Sequence, residues 1–262
     1  MPEGRVGARR EGAVGIVTLS QPERLNAVTL AMWHQLRAVV ADLAADPDVR
    51  VIVVRGEGSE AFSAGADIIE FPENRSTREA AERYSASVSA AVGELAGTRK
   101  PTIAMVHGVC AGGGGGIAVS CALRFADERL RFSIPAARLG VVYEYEAIAR
   151  LVQAVGPSFA SDILISGRTI DADEALRIGL VNGVRLRGDL ERHVMDYAER
   201  VAANAPLPME GAWVAIKAVA EPGNEDWRRE LRDLQRRAIE SSDFREGVRA
   251  FLEKRLPRFS GR

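Results

Sequence analysis

Two short loops rich in glycine and alanine each follow an apolar run, FSAGAD at residues 62–67 and CAGGGGG at residues 110–116. Glycine lets the backbone approach a ligand closely, because no Cβ stands in the way. N–H groups at the start of a helix have no intrahelical partner and favour anions. Two such loops can aim two N–H groups at one oxygen, as in an oxyanion hole, where each donor contributes about 3 kcal/mol. The alternative is a pair of tightly packed turns, but five consecutive glycines after an apolar strand favour ligand approach.

A nucleotide site is the competing interpretation of the glycine run. Gly113, Gly115 and Ala118 have the spacing of a dinucleotide-binding fingerprint. That fingerprint expects an acidic residue about 20 positions later, at the end of the next strand, and residues 133–137 contain none. The sequence has no GxxxxGKS/T phosphate loop, and no cluster of His, Cys and Asp has metal-ligand spacing. We therefore predict neither a nucleotide cofactor nor a metal.

The histidines and cysteines are weaker catalytic candidates. His107 ends a buried apolar run and is interpreted as a core histidine with satisfied hydrogen bonds. His34 falls in an amphipathic helix and His193 in a polar one, so surface roles are expected for both. Cys110 and Cys121 have no base beside them and are interpreted as small buried residues.

Hydrophobic periodicity predicts the elements that position the two loops. The predicted strands are a hairpin that turns at Glu11 and Gly12, buried strands at 49–56 and 101–108, and a strand at 130–133, with a loop at 57–68. The predicted helices before residue 124 run from Thr29 to Ala41, from a capping box of Ser76 and Glu79 to Leu95, and from the glycine run to Leu123. Further helices are predicted from about Ala147, from about Ser158, and from a cap formed by Asp171 and Glu174 to Gly179. This alternation of strand and helix predicts an α/β fold with mainly parallel strands.

Only helical patterns follow Arg187. They carry two apolar stripes at helical spacing, one of Trp227, Leu231, Leu234 and Ala238 and one of Phe244, Val248, Phe251 and Leu252. The stripes can cap the core or form a subunit interface.

Composition limits the partners of the protein. Among 262 residues, 35 Lys and Arg balance 36 Asp and Glu, so no bulk positive field attracts nucleic acid or anionic lipid. Two cysteines fit a reducing cytoplasm, and the opening segment has no apolar run typical of a signal peptide. Residues 101–123 are uncharged and about as long as a membrane span. Their five glycines instead predict a strand, a turn and a helix, since glycine is a poor helix former.

Six motifs occur in order within about residues 14–255. They are QPERLNAV, AFSAGADI, KPTIAMVHGVCAGGGGGIAVSCAL, FSIPAARLG, GRTIDADEALRIGLVN and DFREGVRAFLEKR. Together they resemble the enoyl-CoA hydratase/isomerase family, the crotonase superfamily. The resemblance implies a spiral of β-β-α units over residues 1–190 and a helical trimerisation region over residues 191–262. It also implies an acyl-CoA thioester substrate, no separate cofactor, and a homotrimer or a dimer of trimers.

The resemblance also implies which residues bind the substrate. The N–H groups of Ala66 and Gly113 would hold the thioester oxygen, which becomes charged when the α-proton leaves. Two preorganised donors stabilise that enolate whatever side chains complete the site, so one family supports several reactions. The residues expected to contact coenzyme A or substrate are Ala64, Gly65, Asp67, Ile68 and Gly112, together with Phe251 and Lys254 in the last helix, frequently from a neighbouring subunit. Asp67 can alternatively cap a helix.

The sequence departs from the hydratases of this family at both acid/base positions. Those hydratases carry one glutamate at the end of the glycine turn and another after the F-x-x-P segment. This chain has Gly116 and Ala136 there. Without either carboxylate, addition of water across a double bond lacks a proton shuttle. Standard hydration is therefore not expected.

A replacement acid lies in the segment Tyr143-Glu144-Tyr145-Glu146. Some isomerases and hydrolases of the family keep a carboxylate where this chain has Glu144, and Tyr143 resembles a pocket tyrosine of the decarboxylating members. In an acyl pocket, desolvation would raise the pKa of Glu144 toward a useful value for a base. The alternative is that the negative charge of Glu144 or Glu146 interacts favourably with the positive N-terminal end of the dipole of the helix from Ala147.

We expect isomerisation or proton transfer next to the thioester, with Glu144 as the acid/base. The nearest alternative is a decarboxylase or C–C hydrolase in which Tyr143 orients the leaving group. An alternative of another class is an acyl-CoA-binding protein without catalysis.

Overall fold

The computed structural model describes residues 4–220 and 223–261. The strands in these residues are β1 (Arg5–Glu11), β2 (Val14–Ser20), β3 (Val51–Gly56), β4 (Ala61–Ser63), β5 (Thr102–Val106), β6 (Val109–Ala111), β7 (Leu123–Asp127), β8 (Arg131–Ser133) and β9 (Gly183–Arg185). The α-helices are α1 (Leu30–Ala45), α2 (Phe71–Asn74), α3 (Arg78–Gly97), α4 (Gly113–Ser120), α5 (Tyr145–Ser166), α6 (Ala172–Arg177), α7 (Arg187–Ala202), α8 (Pro206–Ala220), α9 (Glu225–Glu240) and α10 (Ser242–Leu252).

The strands form two sheets. The larger has the order β1-β2-β3-β5-β7-β9, antiparallel only between β1 and β2, and the smaller has the parallel order β4-β6-β8. The α/β class with mainly parallel strands is therefore confirmed. β3, β5 and β7 each continue directly into a strand of the smaller sheet and then into a helix. Three successive β-β-α turns result, which is the expected spiral.

Glycines occupy two of the corners between the sheets. Gly108 lies between β5 and β6 with a φ of +56°, and a Cβ there would approach the Glu60 carbonyl oxygen to 2.1 Å. Gly56 ends β3, where a Cβ would lie 2.4 Å from the Ala61 carbonyl oxygen. Both corners therefore require a residue without a side chain.

The central strands β2, β3, β5 and β7 of the larger sheet are buried on both faces, which explains their continuous apolar runs, whereas the edge strand β1 is largely exposed. Ile52 and Val54 of β3 belong to the apolar cluster shared with α1 and α3, whereas Val51 and Val53 pack with residues of α7. The boundary at residue 190 falls inside α7, whose buried residues belong to this second cluster.

Several predicted boundaries are wrong. The cap of α3 is Thr77, whose hydroxyl accepts from the Ala80 N–H, and not Ser76, whose hydroxyl donates to the Glu73 carbonyl oxygen. The helix after the glycine run ends at Ser120, and Leu123 begins β7. The strands β4, β6, β7 and β9 were not predicted, whereas the short β8 was. Segments this short are defined more by their partners in the sheet than by their own periodicity.

The uncharged segment 101–123 contains the predicted strand, turn and helix as β5, the glycine turn and α4, together with β6 and the start of β7, which were not predicted. α5 is the one described helix with the length and mean hydropathy of a membrane span. Its helical geometry is interrupted at Gly156, followed by Pro157, so it consists of two helical pieces, as predicted from Ala147 and Ser158. Leu151 and Ile163 pack both pieces into the core.

The C-terminal helices form a hairpin of α8 and α9, with Trp213 and Trp227 in edge-to-face contact at 5.6 Å. In the first predicted stripe only Leu234 is fully buried. In the second, on α10, all four residues are exposed, namely Phe244, Val248, Phe251 and Leu252.

Candidate active site

The loop after β4 is held by residues of the QPERLNAV motif. The Asn26 amide donates to the carbonyl oxygens of Glu57 and Ala61, at 2.9 and 2.8 Å. The Ser63 hydroxyl donates to the Asn26 carbonyl oxygen and accepts from the Gly65 N–H. These bonds fix the end of β4 and bring the chain to Ala66 in one defined conformation.

Ala66 itself is held through its neighbours and not through its own N–H. The Val28 N–H donates to the Gly65 carbonyl oxygen at 2.7 Å, and the Asp67 N–H donates to the Val28 carbonyl oxygen at 2.9 Å. Gly65 has a φ of +96°, which favours glycine. The Ala66 N–H makes no hydrogen bond within residues 4–220 and 223–261.

The second loop leads from β6 into α4. Gly112 precedes the helix with φ +47° and ψ −120°, and its N–H donates to the Ser133 carbonyl oxygen at 2.9 Å. Gly113 is the first helical residue. Its N–H is one of the groups that the helix leaves unpaired, and it bonds to no other described residue.

The two loops meet at these N–H groups. An ideal Cβ built on Gly113 lies 3.3 Å from the Ala66 nitrogen, and one built on Gly65 lies 2.9 Å from the Gly113 nitrogen. Two free N–H donors from separate loops are therefore adjacent. An oxyanion hole uses two adjacent donors of this kind.

The next two glycines of the run, Gly114 and Gly115, are closely packed. A Cβ on Gly114 would lie 2.5 Å from the Ser63 carbonyl oxygen, and one on Gly115 would lie 3.0 Å from Phe132. α4 therefore lies directly against β4 and β8. Tight packing, one of the two interpretations of the glycine run, therefore applies to Gly114 and Gly115.

Tyr143 reaches into the space beside Gly116. Its hydroxyl donates to the Gly112 carbonyl oxygen at 2.7 Å. A Cβ on Gly116 would lie 2.8 Å from that hydroxyl oxygen, closer than real Cβ contacts. Burial raises the pKa of Tyr143, so its hydroxyl stays protonated. Ala136, the other position that lacks a glutamate, is half-buried at the start of a 3₁₀ turn.

Glu144 and Glu146 both point toward α3. Glu144 is the extended residue before α5, and its carboxylate accepts a short hydrogen bond from the Ser85 hydroxyl. The Ser89 hydroxyl is 3.4 Å from the Glu146 carboxylate. Glu144 is half-buried and Glu146 is exposed. Glu144 does not cap α5 with its side chain, but Glu146 lies in the first turn of α5, so the dipole interpretation agrees with the structure for Glu146.

Asp67 is engaged with the protein. It is 3% exposed, and its carboxylate accepts from Arg24 at 2.7 Å, from Gln21 at 3.1 Å and from the Ile69 N–H at 3.1 Å. Burial by itself raises the pKa of a carboxyl group, but these hydrogen bonds outweigh it and the pKa of Asp67 lies below its usual value. The capping interpretation of Asp67 therefore agrees with the structure.

The other residues expected to contact substrate fall into two places. Ala64 is half-buried and Ile68 exposed on either side of Ala66. Phe251, 83% exposed, lies at the end of α10, which packs against α9, and Lys254 follows two residues after the helix ends. Neither makes a hydrogen bond or ion pair to the two loops among the described residues. Within one chain, the structure brings Ala66, Gly113 and Tyr143 together, and no hydrogen bond or ion pair among the described residues connects Phe251 or Lys254 to them.

The histidines and cysteines are not part of this constellation. His107 is buried, but its Nε2 has no partner among the described residues, so the expectation of satisfied hydrogen bonds is wrong. His193 is half-buried and packs edge-on against Phe125 at 5.0 Å, so its role is not confined to the surface. Cys110 and Cys121 are free and buried, as predicted.

Sequence reasoning missed two residues that complete the site. Trp33 of α1 lies against Gly113, where an added Cβ would come within 2.9 Å of its ring. Ser85 of α3 holds Glu144, 59 positions away. No local sequence pattern predicts either contact, because both contacts depend on how α1 and α3 pack. Within the described ranges, no group of three His, Cys, Asp or Glu side chains could hold a metal ion.

Comparison with known proteins places this geometry in context. Residues 9–262 match the model of the enoyl-CoA hydratase/isomerase family. A Thermus thermophilus protein provisionally named an enoyl-CoA hydratase is 38% identical over 251 residues, which cover 95% of this chain and 98% of that protein. The carnitinyl-CoA dehydratase of Proteus mirabilis is 30% identical, with 96% of each chain covered. A crystal structure of an enoyl-CoA hydratase/carnitine racemase from Magnetospirillum magneticum is 34% identical, has a TM-score of 0.93, and covers 98% of this chain and 96% of its own.

Proposed function

The chain belongs to the enoyl-CoA hydratase/isomerase family, and we propose that it holds the thioester oxygen of an acyl-CoA between the N–H groups of Ala66 and Gly113. The observation that carries the proposal is the meeting of these two unpaired donors, with the Cβ position of Gly113 only 3.3 Å from the Ala66 nitrogen. Loss of an α-proton places charge on the thioester oxygen. Donors already in place stabilise that charge more than they stabilise the ground state, and so they accelerate the reaction.

The proposed reaction is isomerisation or proton transfer next to the thioester. Gly116 and Ala136 provide no carboxylate where hydratases of the family have glutamates. The Tyr143 hydroxyl already occupies the space into which a side chain at position 116 would extend. Concerted addition of water therefore lacks both of its usual proton carriers, whereas moving one proton along the acyl chain needs only one.

Glu144 is the proposed acid/base. It follows Tyr143 in sequence, it is half-buried, and its position before α5 is fixed by the hydrogen bond from Ser85. A general base must be held in place as well as deprotonated, and this bond supplies the positioning. Glu146, although its carboxylate faces the same helix, is exposed.

The proposed coenzyme A site combines two subunits. Ala64, Gly65 and Ile68 border the first loop, and Phe251 at the end of α10 and Lys254 just after it would come from a second copy. The exposed apolar face of α10 supports this assembly, since Phe251 and Leu252 are 83% and 74% exposed in the single chain. We propose a homotrimer or a dimer of trimers, acting in the cytoplasm. Light scattering at micromolar concentration should show an oligomer, and a stable monomer would contradict the proposal.

The reaction can be tested with a panel of 2-enoyl-, 3-enoyl- and malonyl-type CoA thioesters. We expect the wild type to interconvert the 2-enoyl and 3-enoyl substrates. Glu144→Gln should lower kcat by about 10²- to 10⁴-fold, the usual contribution of general acid/base catalysis. Glu146→Gln is the control, since it removes a neighbouring carboxylate that also faces α3. Because the proposal gives Glu146 no part in proton transfer, this variant should keep kcat within about twofold of the wild type.

Other outcomes of the panel correspond to the alternatives. Equal activity of Glu144→Gln and the wild type would remove Glu144 from the mechanism. Turnover of the malonyl-type substrate alone would indicate a decarboxylase, and efficient addition of water to the 2-enoyl substrate would contradict the proposed reaction. Tight acyl-CoA binding without any turnover would indicate a binding protein.

A further inference from the structure

The peptide bond between Gly112 and Gly113 supplies one of the two oxyanion donors, and glycine lies on both sides of it. With no Cβ on either side, few steric barriers prevent this peptide from rotating. Gly112 has φ +47° and ψ −120°, which side chains rarely allow. The orientation of the Gly113 N–H must therefore be set by contacts that hold the peptide from outside.

A planar trans peptide has its carbonyl and its N–H on opposite sides. Whatever holds the Gly112 carbonyl therefore also aims the Gly113 N–H. Two groups hold it, the Gly116 N–H at 3.1 Å, which belongs to the first turn of α4, and the Tyr143 hydroxyl at 2.7 Å. The tyrosine bond is the shorter one, and it comes from outside the helix.

We propose that Tyr143 is a positioning residue of the oxyanion hole, holding the Gly112 carbonyl so that the Gly113 N–H faces the thioester oxygen. The proposal rests on the function proposed above. The proposal also gives Gly116 a role, namely to leave room for the Tyr143 hydroxyl, because a Cβ at position 116 would lie 2.8 Å from that hydroxyl oxygen. Gly116 and Tyr143 are thus a matched pair, in which one leaves the space that the other fills.

The surroundings of Tyr143 support this role. Its side chain packs against the main apolar cluster, and its hydroxyl remains protonated because burial raises its pKa. It is therefore a donor throughout the pH range of an assay. Since the Tyr143 hydroxyl already donates its hydrogen bond to the Gly112 carbonyl oxygen, it acts on the substrate by orienting this peptide and not by direct proton transfer.

Tyr143→Phe tests the proposal by removing the hydroxyl alone. The probe is 4-dimethylaminocinnamoyl-CoA, a conjugated thioester whose absorption moves to longer wavelength when its carbonyl is polarised. The wild type should bind it with a red shift. The variant should bind with a similar Kd but with at most about half of that red shift. On substrates that the wild type turns over, kcat should fall about tenfold with KM within about twofold, as expected for one neutral hydrogen bond.

Tyr197→Phe is the matched control, because Tyr197 of α7 packs on Phe125 away from both glycine loops. It should keep the full red shift and the full kcat. If the wild type shows no red shift at all, the oxyanion hole itself is refuted. If the wild type and Tyr143→Phe give equal red shifts and equal kcat, the positioning role fails while the proposed function stands.

Gly116→Ala provides an independent test of the matched pair. In the wild type the new Cβ would displace the tyrosine hydroxyl, so the red shift and kcat should fall as they do in Tyr143→Phe. In the Tyr143→Phe background the nearest atoms to that Cβ are at 3.7 and 3.8 Å, which are ordinary contacts. The double variant should then be no worse than Tyr143→Phe alone. Additive losses in this cycle would overturn the pairing.

Discussion

Gly113→Ala should abolish catalysis while leaving the protein folded. The added Cβ would lie 3.3 Å from the Ala66 nitrogen. A thioester oxyanion must come within about 2.7–3.1 Å of its donors, and a methyl group on Gly113 crowds the space between the two N–H groups and displaces the Gly113 backbone from Trp33. Since one such donor is worth about 10²- to 10³-fold in kcat, we expect a loss at least as large.

The same methyl group also affects stability, because it would lie 2.9 Å from the ring of Trp33. Trp33 is 1% exposed, and its indole N–H donates to the Tyr84 hydroxyl at 3.2 Å, so the ring has little room to move. Overpacking of this kind costs about 1–3 kcal/mol. For a chain of this length each kcal/mol lowers Tm by about 2–4 °C.

Gly115→Ala separates the two effects. Its Cβ would lie 3.0 Å from the ring of Phe132, a nearly equal clash with another buried aromatic residue, but it does not approach Ala66. Both variants should lose Tm to a similar extent in a calorimetric scan. Only Gly113→Ala should lose kcat by two orders of magnitude or more.

The assay uses whichever acyl-CoA of the panel the wild type turns over, with kcat and KM measured separately at a temperature well below both Tm values. Equal loss of kcat in Gly113→Ala and Gly115→Ala would refute the reasoning. It would mean that the glycine run serves packing alone and that the two N–H groups do not meet at a substrate oxygen.

Three further predictions concern stability and reactivity. Asp67→Asn should lower the free energy of unfolding at pH 7 by about 2 kcal/mol, since it weakens charged hydrogen bonds such as that from Arg24. The pKa of Asp67 is lower in the folded protein than in the unfolded chain. Its contribution to the free energy of unfolding is therefore complete above the unfolded-state pKa of about 3.9 and is lost as the pH falls through the folded-state pKa. The difference between variant and wild type in urea titrations should therefore shrink below about pH 4, and a constant difference would contradict it. Cys110 and Cys121 should not react with a thiol reagent at pH 8 until the protein unfolds, because burial raises the pKa of both thiols, that of Cys121 to about 12; rapid labelling of native protein would contradict this. Asp171→Ala should cost about 1 kcal/mol by removing the cap of α6, and Asp171→Ser should restore most of it in the same titrations.

Local sequence patterns predicted the long elements of the fold. The continuous apolar runs gave β3 and β5, because a strand buried on both faces needs no polar alternation. The caps of α1 and α6, Thr29 and Asp171, were also predicted correctly, since each bonds to an N–H only three residues away. At α3 two adjacent residues, Ser76 and Thr77, can both act as caps. The pattern alone does not choose between them.

For the candidate site, the sequence located the two loops that meet in the structure. The glycine loops and the ordered motifs indicated Ala66 and Gly113 as donors, and the structure brings their N–H groups together. The sequence did not show that Gly114 and Gly115 serve packing, that Asp67 is committed to Arg24, or that Tyr143 bonds to Gly112.

By itself, the sequence determined the α/β class, the buried strands, the glycine turn and the family, because these depend on residue type and short-range spacing. Only the tertiary structure decided what fills the space beside Gly116 and what holds Glu144. The Tyr143 hydroxyl meets Gly112 across 31 positions, and Ser85 meets Glu144 across 59. Contacts over such separations have no periodicity to reveal them, since they exist only once the helices have packed around the sheets.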